Sequence, residues 1–256
     1  MQTRYSRTGF FGGVSQFLRA PWFILRHPSL WVWCLTPLAI NIVVVVLTWW
    51  GVGHLTEQMM PAGLEGSQWW AVALRWILEA IFFVARLLFA FVAFLIIGSV
   101  VAAPFNELLS QRTETLLRGR AGGGEGTNAS AWLRQALVII REELRRLALY
   151  LGISLGILGL SFVGVAAPIV PPLQLLVTAV FIALDYLAYP LERRGVLLLR
   201  DKLAFVRSHL AACLGFGLLM ALVGLIPVIN LFFFPIGAVG GTLLFSKLEG
   251  ASSERV

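Results

Sequence analysis

The sequence predicts an all-α integral membrane protein, with two long transmembrane helices, two proline-broken helical hairpins of which at least one is re-entrant, and amphipathic interfacial helices. Three observations predict it. Of the 256 residues, 59% are hydrophobic and 13% charged, with mean hydropathy +0.85, against roughly 45–50% and about 25% in globular domains. Apolar runs bounded by tryptophan or broken by proline recur along the chain. The basic residues are confined to particular loops: Met1 to Arg26 holds four, Glu107 to Arg146 seven, Asp185 to His209 five and the tail from Lys247 two, which is 18 of 20. The loop from Gly51 to Leu74 has none, only Glu57 and Glu65. Because Lys and Arg in short loops set orientation, both termini and the two basic loops are expected in the cytoplasm and the Gly51 to Leu74 loop on the other side.

The elements follow in order within one membrane domain, 1–256. Residues 1–27 are an amphipathic N-terminal segment, in which "TGFFGGVSQFLRAPWFILRH" mixes apolar and basic side chains around Pro21, as suits a helix lying in the interface. The apolar run begins only near Trp31 and is too long for a signal-peptide core, so no cleavage is expected. Residues 31–50 form the first crossing, with Trp31 and Trp33 at one end and Trp49 and Trp50 at the other, the belts that interfaces favour. Pro37 is placed to kink it.

Residues 69–106 form the second crossing, uncharged between Arg86 and Glu107 and ending at "AAPFNELL", where Pro104 removes a backbone donor. Residues 107–146 are cytoplasmic amphipathic helices joined by a Gly-rich linker, with Leu133, Leu137, Ile140, Leu144 and Leu147 at helical spacing. The first hairpin, 147–189, and the second, 208–246, each carry a proline cluster in an uncharged stretch after a basic amphipathic segment. Ser208 to Ser246 is 39 residues without Asp, Glu, Lys or Arg. A crossing needs about 20 residues, and neither arm beside Pro227 and Pro235 has them, so this hairpin is expected to enter and return on the basic side.

No catalytic constellation is present and His27, His54 and His209 are scattered, so no enzyme activity, cofactor or metal is expected. Cys34 and Cys213 lie in apolar stretches and indicate neither a disulfide nor a metal site. The charge of +7 does not form the patch interleaved with aromatics that a nucleic-acid binder shows. Glu79 and Arg86 share a helix face, where snorkelling or structural pairing outweighs a transport role. Gly152 and Gly156, and Gly237 and Gly241, have the spacing of close helix contacts. Gly237, Gly240 and Gly241 could alternatively leave room beside the start of a half-helix, whose N–H groups attract anions.

Four stretches together resemble the CysZ sulfate permeases and their wider etoposide-induced-protein superfamily: "HPSLWVWCLTPLAIN" at 27–41, "AAPFNELL" at 102–109, "LDYLAYPLERR" at 184–194 and "IPVINLFFFPIGAVGGTLLF" at 226–245. The resemblance implies two long transmembrane helices, two hairpins penetrating part of the bilayer, a homo-oligomer, and sulfate uptake for cysteine biosynthesis across a bacterial inner membrane. It also implies an arginine pair on sulfate shortly after Pro28. The matching positions here are Trp31 and Val32. The anion-binding candidates are therefore Arg19, Arg26, His27, Ser29 and Trp31, and the pathway-lining candidates Asn106, Asn230, Pro235, Gly237 and Gly240. The expected partners are the lipid bilayer and a small inorganic anion. The alternative is a non-transporting protein whose hairpins shape the membrane or scaffold a partner.

Overall fold

Among the residues that the computed structural model describes, 8–59, 68–119, 129–162, 164–165, 167–226 and 233–250, every regular element is helical. The α-helices are α1 (Phe10–Arg26), α2 (Trp31–Gln58), α3 (Trp69–Arg118), α4 (Ala129–Leu160), α5 (Val170–Arg193), α6 (Leu199–Ser208), α7 (Leu210–Gly224) and α8 (Phe233–Gly250). Short 3-10 turns, Pro28–Leu30 and Ala167–Ile169, lead into α2 and α5. Pro28–Gln58, Trp69–Phe94 and Ala167–Arg193 are long and apolar enough to cross a membrane. The protein is an all-α, multi-pass membrane protein.

Three helices run further than the sequence suggests, α2 continuing to Gln58 into the expected loop. Pro104 lies inside α3 and does not end it. One missing donor interrupts the helix ladder, but the following "ELLSQRTETLLR" is rich in strong helix formers that resume it at once. Likewise α4 joins the amphipathic surface segment to the first hairpin arm without a break, because no proline falls between Ala129 and Leu160. α7, at 15 residues, is about 22 Å long and shorter than a hydrocarbon core of about 30 Å. α6 and α7 meet at 98° around His209.

The chain divides into two compact units. One consists of residues 1–31 and 106–256. Here α7 packs against α5 and α1, and α8 against α1 and α5. Phe216, Phe245, Leu184, Leu187, Met220, Leu244 and Leu248 are fully buried among them. Small residues let backbones touch, the usual device where lipid offers no hydrophobic drive to associate. A Cβ on Gly13 would stand 1.9 Å from the Ala212 carbonyl oxygen, and one on Gly217 would stand 1.8 Å from that of Ala179. The Gly237 and Gly241 spacing serves such a contact, since their Cβ positions fall 2.2 and 2.7 Å from Tyr186. Gly152 and Gly156 have nothing within 4 Å. The α4 to α5 pair is joined by polar contacts, the Gln174 amide donating to Ser154 Oγ at 2.9 Å and Tyr150 sharing a hydrogen bond with Thr178 at 3.2 Å.

The other unit, residues 32–105, pairs α2 antiparallel with α3. Trp49 meets Phe83 at 5.8 Å between ring centroids and Trp33 meets Phe105 at 6.1 Å. Arg86 donates through Nε to Thr56 Oγ1 at 3.0 Å and through Nη2 to the Gly53 carbonyl at 3.2 Å. Glu79 pairs with Arg75 at 2.9 Å on an exposed surface, so Glu79 and Arg86 have different partners.

Candidate functional site

The amphipathic pattern of α1 turns Gly13, Gln16, Phe17 and Ala20 inward and leaves Arg19 exposed beside them. Gln16 is buried and its amide donates to Ser15 Oγ at 3.2 Å. Next to this face, the last turn of α3 brings Leu117 and Arg118, and the last two turns of α8 bring Leu243, Ser246, Lys247 and Glu249. Together with Gln16 and Arg19 they line an open groove of about 670 Å³. Three cations and one carboxylate border it. Arg118 pairs with Glu249 and donates from Nη2 to the Ser246 carbonyl at 3.2 Å. Arg19 and Lys247 make no ion pair among the described residues. The Ser246 hydroxyl is buried without a partner there.

Behind the groove lies a network of charges centred on the buried Glu114. Arg194 donates to both carboxylate oxygens of Glu249, at 2.9 and 2.8 Å, and also pairs with Glu114. Its guanidinium sits 4.4 Å over the Phe245 ring centroid, a favourable placement for a cation. Arg193 binds Glu107 at 2.8 Å, Glu114 at 2.9 Å and Ser110 Oγ at 2.9 Å, and Ser110 meets Thr242 at 2.7 Å. Glu114 is 1% exposed. Burial pushes its carboxyl group up, but hydrogen bonds and charge from Arg194 and Arg193 outweigh that and hold it below the usual carboxylate range. Burial acts to lower the Arg194 pKa, and Glu114 and Glu249 reverse this and raise it. The charges inside the network are therefore fixed as ions, and the groove in front keeps an excess of positive charge.

The anion-binding candidates do not converge. Arg19 is in the groove, whereas Arg26, His27, Ser29 and Trp31 are at the junction of α1 and α2. There the Trp31 Nε1 proton is taken by the Ile24 carbonyl at 2.9 Å, and His27 Nδ1 lies 2.8 Å from the Phe23 carbonyl. Trp31 thus has no free donor for an anion, while Arg26 and Ser29 are exposed. Of the pathway-lining candidates, Asn106 is buried in a hydrogen bond with Tyr189. Pro235 is buried in the first turn of α8, Gly237 lies against Tyr186, and Gly240 against Phe216 and Ala20. Asn230 lies outside the described residues.

Gln16, Arg118, Ser246 and Lys247 are groove residues that sequence reasoning missed. Arg118 and Lys247 stood only as topology charges, and no local pattern joins positions so far apart in the chain. The buried network had a partial signal. Glu107 of "AAPFNELL" meets Arg193 of "LDYLAYPLERR", and Ser110 just after the former meets Thr242 of "AVGGTLLF".

The family described as sulfate transporter CysZ/Etoposide-induced protein 2.4 matches residues 16–235. The chain is 31% identical over 241 residues to "Sulfate transporter CysZ" of Pseudomonas fluorescens (strain Pf0-1), covering 93% of this chain and 94% of that protein. It is 31% identical over 242 residues to the protein of the same name from Pseudomonas aeruginosa (strain LESB58), with 92% and 95% covered. Against the Salmonella paratyphi A protein of that name it is 28% identical over 234 residues, with 91% of each covered.

Proposed function

The chain belongs to the sulfate transporter CysZ/Etoposide-induced protein 2.4 family, and from this premise we propose that it is a permease or channel for a small inorganic anion, with sulfate uptake for cysteine biosynthesis as its role. The observation that carries the reading is the groove, where Arg19, Arg118 and Lys247 face one carboxylate. Guanidinium groups present a fork of donors suited to a tetrahedral oxyanion, and an ammonium adds a point charge. The groove stands in for the arginine pair that Trp31 and Val32 replace. Arg26, His27 and Ser29 lie apart from it, at the junction of α1 and α2.

The protein works in the inner membrane of a bacterium, as a homo-oligomer, with both termini cytoplasmic, as the Lys and Arg distribution supports. It performs no catalysis. α7, about 22 Å long against a hydrocarbon core of about 30 Å, shortens the distance an anion has to travel through protein. Labelled sulfate entering proteoliposomes tests the reading: wild-type protein gives flux above empty vesicles, and Arg19→Ala with Lys247→Ala cuts it by about tenfold, a loss of the order seen when a charged contact is removed. Folded wild-type protein without flux sinks it.

One observation favours a second reading. The outer face of α1 leaves Phe11, Leu18, Trp22 and Leu25 exposed, as in a helix that wedges into one leaflet. A change in vesicle curvature without solute flux would select a membrane-shaping role.

A further inference from the structure

We propose that Glu249 is a built-in competitor for the anion in the groove: its carboxylate occupies Arg118 until a tetrahedral oxyanion with two negative oxygens displaces it. The inference rests on the reading of the groove as the anion site and adds the residue that sets its affinity and selectivity.

Three observations lead to it. First, Glu249 is the only carboxylate among the described residues that line the groove, and it faces cations on both sides, Arg118 and Arg194. Second, the two arginines differ in what else holds them. Arg194 keeps Glu114, the Pro190 carbonyl at 3.0 Å and the Phe245 ring. Arg118 keeps, among the described residues, only the Ser246 carbonyl. Loss of the Glu249 charge therefore leaves Arg194 in place and frees the Arg118 fork. Third, Arg118 is 30% exposed and lines the groove, so its pair with Glu249 is of the solvated kind that exchanges readily.

The chemistry of the exchange follows from shape. Glu249 gives Arg118 one oxygen, Oε2, which it shares with Arg194, whereas one edge of a tetrahedral oxyanion offers a guanidinium two oxygens at once. Chloride has one centre and cannot engage the fork in this way. Arg118 then acts in concert with Arg19, Lys247 and the Ser246 hydroxyl, which lacks a partner among the described residues and can donate to an anion. Glu249 also lies in the last turn of α8, where the carbonyl end of the helix disfavours a negative charge. It is held there by its arginines, which an anion relieves of that task.

The test is calorimetric titration of the full-length, detergent-solubilised protein with sulfate. Glu249→Gln is expected to bind sulfate about tenfold more tightly than wild type, a change typical of one close charge removed, and to gain chloride binding that wild type lacks. Glu249→Asp, which keeps the charge, stays near wild type. Adding Arg118→Ala to Glu249→Gln removes the gain. Unchanged or weaker sulfate affinity in Glu249→Gln, with the thermal unfolding midpoint retained, overturns the proposal, as does absence of binding in both proteins. Arg19→Ala and Lys247→Ala separate the two claims. If they weaken binding while Glu249→Gln fails to strengthen it, the role of Glu249 falls and the groove stands; if they have no effect, the groove falls first. Repeating the titration in nanodiscs with phosphatidylglycerol identifies the source of the oxyanion. Sulfate tightening that persists there supports a soluble ligand, and its loss only in those discs overturns that assignment in favour of a lipid phosphate.

Discussion

The arginines of the two compact units are treated in opposite ways. In the α2 to α3 unit, Arg86 is held by neutral acceptors, Thr56 Oγ1 and the Gly53 carbonyl. In the other unit, Arg193 and Arg194 are locked by Glu107, Glu114 and Glu249. The second arrangement cancels charge and ties α3, α5 and α8 together where those helices are buried. The first leaves the positive charge uncancelled beside Gly53 and Thr56, towards the end of α2, where headgroups and water take up a charge. Neutralised charge serves packing, and charge left over serves the membrane surface or a solute. The groove is an intermediate case, because it borders the neutralised network yet retains two cations of its own.

The comparison can be broken most severely at Glu114. Glu114→Ala leaves Arg193 without one of its two carboxylates and Arg194 with Glu249 alone, and removing one partner of a buried pair costs about 3–5 kcal/mol. Chemical denaturation should show a loss of that order, or no folded protein. The pH dependence has a definite sign. Glu114 is depressed in the folded state, so its contribution is complete above about 4.3, the ordinary glutamate value. It is lost as pH falls through the lower folded value, and the unfolding midpoint of Glu114→Gln should lack that acid-side dependence.

Next comes the contact that the network frames. Gly237→Ala places a methyl group 2.2 Å from the Tyr186 ring, which forces the ring or α8 to shift at about 1–3 kcal/mol. The same change at Gly152 meets nothing within 4 Å and should be neutral within the chain. Thermal unfolding of both variants decides whether identical spacing carries different weight. In the other unit, Thr56→Val removes an acceptor from Arg86 and should cost about 1–3 kcal/mol. Arg86→Leu in that background should cost nothing further, which a double-mutant cycle measures. The smallest effect belongs to Arg75→Ala. Its pair with Glu79 is exposed, and such pairs contribute roughly 0–1 kcal/mol.

What the sequence makes legible is what depends on local composition. Tryptophans flank the start of α2, the apolar pattern of α1 is visible in its spacing, and the proline after Ile226 already marks α7 as short. What it hides depends on distant partners. Pro104 reads as a helix end until Glu107, Ser110 and Glu114 beyond it are seen to bind Arg193 and Arg194 from α5 and its end. Gly152 and Gly156 have the same interval as Gly237 and Gly241, but only the latter find a tyrosine opposite. Arg118 and Lys247 become a site only because the ends of α3 and α8 meet against α1, a coincidence of tertiary packing with no counterpart in any window of the chain. Trp31 looked available for a ligand because its partner, the Ile24 carbonyl, is brought within reach only where α1 ends and the chain turns at Pro28.

The 98° turn at His209 has a mechanical consequence. α6 carries Arg200, Asp201 and Arg207 in exposed positions, and α7 starts immediately after it without a charge. Thus α6 behaves as a float at right angles to a keel. Sinking α7 deeper would drag those ions into hydrocarbon, and lifting it would bare its apolar sides to water. The position of α7 along its own axis is therefore fixed at this turn, from its charged side.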